Sequence, residues 1–171
     1  MNVRIIKMDS AQQVAALIKE GKVTEMPSLQ HNWRFNFNKE LRKLPSATGY
    51  LLVTEETPHI LEGCVIFMLK DTEVPYMAYL EVAPHNRGDE KKYDHVAGCL
   101  IAFSHQLSLI FGKGDYKGML FFDVLEEEKE DEVKLMSLYS TKYRAKRLDR
   151  LSSTMVIMDE DGDDLVYKYL S

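Results

Sequence analysis

A strand that passes through a polar loop into an apolar helix constrains this chain more than any other feature. Residues 76–82 alternate and carry Tyr76, Tyr79 and Val82, as a strand does. His85, Asn86, Arg87 and Gly88 open a polar loop, and residues 96–103 are almost entirely apolar. The first amides of a helix have no intrahelical partner, and the dipole at that end favours negative charge. A strand that feeds such a helix start builds an anion site, so a phosphate-bearing ligand is expected there. Ala97 and Gly98 are small enough to let an oxygen-rich group approach the amides.

Strict alternation along the strand places Tyr76, Ala78, Leu80 and Val82 on one face and Met77, Tyr79, Glu81 and Ala83 on the other. Glu81 is then a carboxylate on an otherwise apolar face near a strand end. It is either ion-paired or a general base whose pKa burial has raised. Pro84 cannot donate to a ladder, so pairing stops or splays there and leaves a slot beside the strand.

The 171 residues suit one domain, 1–171, with a substantial core. A net charge of −5 argues against nonspecific nucleic-acid binding, which needs a basic face. No run approaches the roughly 20 apolar residues of a membrane span. The first residues lack the apolar block of a signal peptide, and the cysteines are two, Cys64 and Cys99. A reducing cytoplasm is the expected compartment.

Residues 2–8 read as a first strand. Ser10 and Gln13 have the spacing of a capping box, with Val14, Leu17 and Ile18 as a helical stripe closed by Gly21. Trp33, Phe35 and Phe37 alternate with polar residues, as a short strand or a turn entering a helix at Lys39. Residues 50–54 and 60–69 read as a hairpin. Residues 96–111 form a helix apolar on nearly every side and hence deeply buried. Residues 119–124 are a strand and residues 131–143 a helix. Residues 154–158 and 165–169 read as strands about an Asp161-Gly162 turn. The element order implies a mixed α/β domain around one sheet.

Residues 126–132 are almost entirely acidic, and Lys142, Arg144, Lys146, Arg147 and Arg150 follow. One helix with acids first and bases last accounts for this through its dipole, or the basic end touches a phosphate. The acidic stretch 159–164 lacks the Gly and Glu positions of a calcium loop and reads as a hairpin turn. Residues 112–118 resemble a dinucleotide fingerprint in the wrong helix-to-strand order. His95 and Cys99 stand four apart on a helix without a second ligand pair, so no metal is expected. His105 is expected to make an ordinary hydrogen bond.

The pattern Val82-x-Pro84-x-x-Arg87-Gly88, then a small-residue helix start and Leu100, resembles the acyl-CoA-binding motif of the GNAT superfamily of N-acetyltransferases. Residues 138–145 are similar to its later Tyr element, with Tyr139 at the tyrosine position. The strand order fits along the whole chain. The phosphate loop is several residues longer than the compact motif. His95 and Ala97 replace its helix-start glycines, and Arg144 replaces a common Gly. Loops ending in Lys-Tyr, as Lys92-Tyr93 does, occur in some bacterial members.

The resemblance implies an α/β (α+β) fold with a mixed, mostly antiparallel sheet whose central strands splay. It implies acetyl transfer from acetyl-CoA to a primary amine by direct attack. Glu81 would take a proton, an amide near Val82 would polarise the thioester, and Tyr139 would protonate the leaving thiolate. Val82, Ala83, Asn86, Arg87, Gly88, Tyr93, His95, Val96, Ala97 and Gly98 would line the cofactor. Trp33 and Phe35 either pack on the sheet or wall the acceptor pocket. The expected partners are a small-molecule or peptide amine, with no nucleic acid and no membrane, in a monomer or homodimer. The rival readings are a catalytically inactive CoA-binding or interaction module on the same fold, and a non-CoA scaffold whose acidic run docks a basic partner.

Overall fold

In the computed structural model, which describes residues 1–171, the chain opens with a hairpin. Strand β1 (Asn2–Lys7) pairs with β2 (Gln12–Gly21), Asn2 opposite Leu17 and Lys7 opposite Gln12. The helix expected after Ser10 is therefore a strand. Val14, Ala16 and Ile18 alternate into the core, a period of two that the apolar spacing also allowed. Gln13 caps no helix. It accepts a hydrogen bond from Arg4 across the hairpin at 3.0 Å.

Helix α1 (Phe37–Lys43) follows, so the aromatic run enters a helix and is not a strand. Asn36 caps it by accepting from the Lys39 amide at 3.0 Å. Strands β3 (Thr48–Thr54), β4 (Leu61–Lys70) and β5 (Val74–Val82) form an antiparallel meander. Short β6 (Tyr93–Asp94) pairs with β1 and precedes helix α2 (Val96–Phe111). Then come β7 (Met119–Asp123), helix α3 (Lys129–Tyr143), short β8 (Lys146–Arg147), β9 (Thr154–Met158) and helix α4 (Asp159–Leu170). All nine strands join one sheet in the order β6-β1-β2-β3-β4-β5-β7-β9-β8, antiparallel throughout except at β5–β7.

The closing element is the second correction. The Asp161-Gly162 pair sits inside α4 and makes no hairpin turn. Asp159, Glu160 and Asp161 occupy the first helical turn, where the dipole favours acids, and Gly162, Leu165 and Tyr169 form the buried stripe. Arg144 and Lys146, just past α3, pair with this acidic end: Lys146 reaches Asp161 at 2.9 Å, and Arg144 binds Asp164.

Helix α2 carries β5 over to the parallel β7 and is enclosed on two sides. A Cβ on Gly63 of β4 would lie 2.7 Å from Val96, and one on Gly98 would lie 2.3 Å from the Tyr169 ring. Backbones approach this closely only where a side chain is missing. The apolar character of α2 on every side thus reflects a sheet below and α4 above. Gly98, expected to clear space for a phosphate, clears it for Tyr169.

A β-bulge corrects the faces assigned to β5. Ile66 of β4 lies opposite Tyr79, and Phe67 opposite Met77, so Ala78 is the extra residue. Met77 joins Leu80 and Val82 in the larger core under α2. Tyr79 packs on the opposite face with Trp33 and Phe37.

If Gly98 is there for packing, Gly98→Ala should cost about 1–3 kcal/mol in urea unfolding, as overpacked cores do.

Candidate active site

Strands β5 and β7 meet at a single residue pair, Tyr76 with Phe121. Past that pair they diverge around a cavity of about 350 Å³. Leu80 and Val82 line one wall, Phe122 and Val124 the other, and Ile101 of α2 and Tyr139 of α3 also face it. The volume is within the range of small-molecule sites. The closed end of the fork is fastened by Asp123, which accepts from the hydroxyls of Tyr76 and Thr154. At the open end the Ala83 amide donates to the Glu62 carbonyl at 2.9 Å. By alternation, the backbone groups of Val82 turn away from β4 into the fork. Arg87 Nε approaches the Val82 carbonyl from that side at 3.4 Å.

Glu81 is buried, and both its oxygens are occupied. Oε1 accepts the Arg34 amide at 2.7 Å and the Arg87 guanidinium, and Oε2 accepts the Phe35 amide at 3.1 Å. Acting as a base would break bonds that fasten residues 34–35 and the loop arginine to β5. Arg34 and Phe35 line the cavity beside Tyr79, whereas buried Trp33 borders a separate recess near His31 and His85. Of the two aromatics singled out in the sequence, Phe35 borders this cavity and Trp33 does not. The Phe35 ring meets Tyr79 edge-on at 5.3 Å.

Residues 83–95 are pinned from below. Asn86 is buried and donates to the Glu62 carbonyl at 3.0 Å and carboxylate at 2.7 Å, while its own carbonyl accepts the Tyr93 amide. His85 Nε2 lies 2.6 Å from the same Glu62 carboxylate. Asn86 and Tyr93 therefore shape the loop from inside, and Ala83 is buried at its root. Gly88 takes φ +70° at an exposed bend where a Cβ would meet nothing. Arg87, Val82 and Ala97 reach the fork cavity.

His95 precedes α2 in a left-handed conformation, φ 71°, and turns an edge to the Tyr169 ring at 5.1 Å. Burial lowers its pKa, and Lys168, Lys142 and Lys91 lower it further against the opposing pull of Asp94. Three lysines thus gather at the amino end of α2, each from a different part of the chain. Lys142 of the basic run is one of them, 3.9 Å from Asp94. Cys99 faces inward, its thiol donating to the Tyr169 carbonyl at 3.4 Å and pushed up to about 12 by burial. No group of three or more His, Cys, Asp or Glu side chains is placed to hold a metal ion.

Tyr139 is half-buried on the cavity wall, tilted against Phe122 at 4.9 Å. Burial, then the Glu126 carboxylate, pushes its pKa up to about 12. Glu126 itself borders the cavity and faces Arg34 across the mouth at 3.9 Å. Sequence reasoning passed over Glu126 as one acid in a run, and over Glu62 as one polar residue inside an apolar strand. A lone Glu amid β4's apolar residues was the available signal for the second.

No protein-family model and no curated protein matches the sequence. Solved structures do resemble the fold. KacTA in complex with DNA is 12% identical, with 90% of this chain and 99% of that chain covered at a TM-score of 0.56. AtaTR bound with acetyl-CoA is 11% identical, with 88% and 97% covered at 0.51. The N-acetyltransferase PseH of Campylobacter jejuni in complex with acetyl coenzyme A is 17% identical, with 84% and 100% covered at 0.49. The mixed architecture, with its curled and mostly antiparallel sheet and flanking helices, is the fold that KacTA and AtaTR share. No helix is long and apolar enough to cross a membrane.

Two histidines link the helix around this site to pH. Burial lowers the pKa of His95 and of His105, whose Nδ1 has no partner and whose ring lies against Gly162. The unfolded chain takes up these protons first, near its ordinary value of 6.5, so folding stability falls as pH drops through and below that value. The melting temperature should decline between pH 7 and 5, and His105→Asn should flatten that decline even if it lowers stability at pH 7.

Proposed function

We propose that this chain transfers an acetyl group from acetyl-CoA to a primary amine by direct attack. The observation that carries the reading is the fork: two parallel neighbours joined at one pair, opening on a cavity that runs toward the start of α2. A strand edge with unpaired backbone groups suits an amide-bearing pantetheine arm, because buried N–H and C=O groups need partners. The diphosphate would be held by the first amides of α2, with Arg87, Lys91, Lys142 and Lys168 supplying positive charge.

Acetyl-CoA would supply the activated thioester and a thiolate leaving group. The Val82 amide, turned into the fork, would polarise the acyl carbonyl. Tyr139, protonated at neutral pH as tyrosines are and set on the cavity wall, would be the donor for the departing sulfur. The proton of the acceptor ammonium would pass to Glu126, directly or through a water. Glu81 is the alternative base, at the cost of its three hydrogen bonds. In this reading Glu81 chiefly holds the roof of the acceptor pocket and Arg87 in place.

Isothermal titration should show acetyl-CoA binding at micromolar levels, and absence of binding to any CoA thioester would overturn the proposal. Tyr139→Phe should lower turnover about 100-fold with cofactor affinity nearly intact. Glu126→Gln should chiefly lower kcat, whereas Glu81→Gln should chiefly raise KM for the acceptor; the reverse pattern would return the base role to Glu81. Tight binding with no turnover across an amine panel would leave a CoA-binding module in place of an enzyme.

A further inference from the structure

We infer that the acceptor is an apolar monoamine, one ammonium on a hydrocarbon or aromatic body, and not a polyamine. The inference deepens the transferase reading and rests on it for the chemistry, but its basis is the charge and surface of the cavity. Five charged side chains border that cavity: Glu81, Asp123 and Glu126 against Arg34 and Arg87. With Lys70 beside Asp123, the three carboxylates face three cations, so the cavity holds no net negative charge to attract a polycation. Two of the carboxylates are already committed. Glu81 is held by Arg87 and two amides, and Asp123 by two hydroxyls, with Lys70 3.8 Å away. Glu126 alone has only a long contact, 3.9 Å to an exposed Arg34, which is worth little in water. Glu126 is therefore the one lining carboxylate that an ammonium can approach, and the cavity offers no second such group.

The rest of the surface is apolar. Leu125 is 72% exposed, Leu138 48% and Phe35 39%, and all three border the cavity. Large side chains left in water around one opening mark a surface that gains by being covered. Phe35 and Tyr79 also offer aromatic rings to an ammonium group. A hydrophilic polycation would leave this apolar rim wet and bring surplus charge into a cavity with one spare carboxylate. A monoamine such as hexylamine or phenethylamine matches both features at once.

The test measures kcat/KM for acetyl transfer to hexylamine, phenethylamine, putrescine and spermidine. The apolar monoamines should exceed the polyamines by about tenfold or more, the scale at which apolar contacts discriminate. The double variant Leu125→Ser with Leu138→Ser should erase most of that preference, with its fold checked by circular dichroism and its acetyl-CoA affinity by titration. A parallel titration of hexylamine and putrescine into the cofactor-free protein reads acceptor binding without chemistry. Turnover that favours the polyamines, or a preference unchanged in a folded double variant, overturns the inference and leaves the transferase reading standing. Hexylamine binding that exceeds putrescine binding, with no acetyl transfer to any amine, overturns the transferase reading and leaves the cavity as a binding site for an apolar monoamine. Equal binding of the two amines with no transfer overturns both.

Discussion

The structure turns on one pairing that stops short. Strands β5 and β7 are neighbours in the sheet yet share a single bridge, Tyr76 with Phe121. A parallel pair reached through a helix crossover would normally continue for several residues. Here the bulge at Ala78 bends β5 just past the bridge, and Pro84 follows where the strand ends. Phe122 leans on Tyr139, so α3 walls one side of the gap. The cost is a stretch of inner strand edge whose amides and carbonyls lack a ladder partner. Such groups are tolerated where a ligand or water satisfies them.

Everything around the fork acts to hold it open in one shape. Asp123 fastens the closed end through Tyr76 and Thr154. At the open end, Glu62 reaches up from β4 and fixes the loop through Asn86 and His85. Glu81 ties the neighbouring strand, β5, to the roof at residues 34–35 and to Arg87. Buried carboxylates are costly unless their bonds are satisfied, so each of these anchors is worth most when intact. Helix α2 is set in depth by contacts where glycines let backbone and side chains meet closely, at Gly63 and Gly98. Its amino end, with Ala97 on the wall, is thereby placed beside the cavity.

Much of the fold was legible because its signals are local. The hairpin of β3 and β4, the strand into the loop, the buried α2, the strand β7 and the amphipathic α3 all follow from period, turn residues and apolar runs. Two elements were misread for a shared reason. Residues 12–21 and 159–170 carry apolar residues whose spacing suits either a helix or a strand. In the first, ladders on both sides decided for a strand. In the second, contact with α2 through Gly162 and Tyr169 decided for a helix. At the site, Tyr139, Val82, Arg87, Ala97 and Phe35 do converge on one cavity, while Asn86, Tyr93 and Gly98 serve the scaffold.

By itself the amino-acid sequence determined the chemistry available and its rough order: a strand, a proline, a polar loop, a helix start, and a tyrosine on a later helix. Those features depend on residue type and near neighbours, which a linear reading captures. Tertiary structure alone decided which carboxylate is free. Glu81 and Glu126 are both acids near apolar residues in the sequence. What separates them is that Glu81 meets two amides from residues 46 and 47 positions away, while Glu126 meets open space and one distant guanidinium. The role of a charged side chain is set by the donors the fold brings to it, and no local pattern encodes those donors.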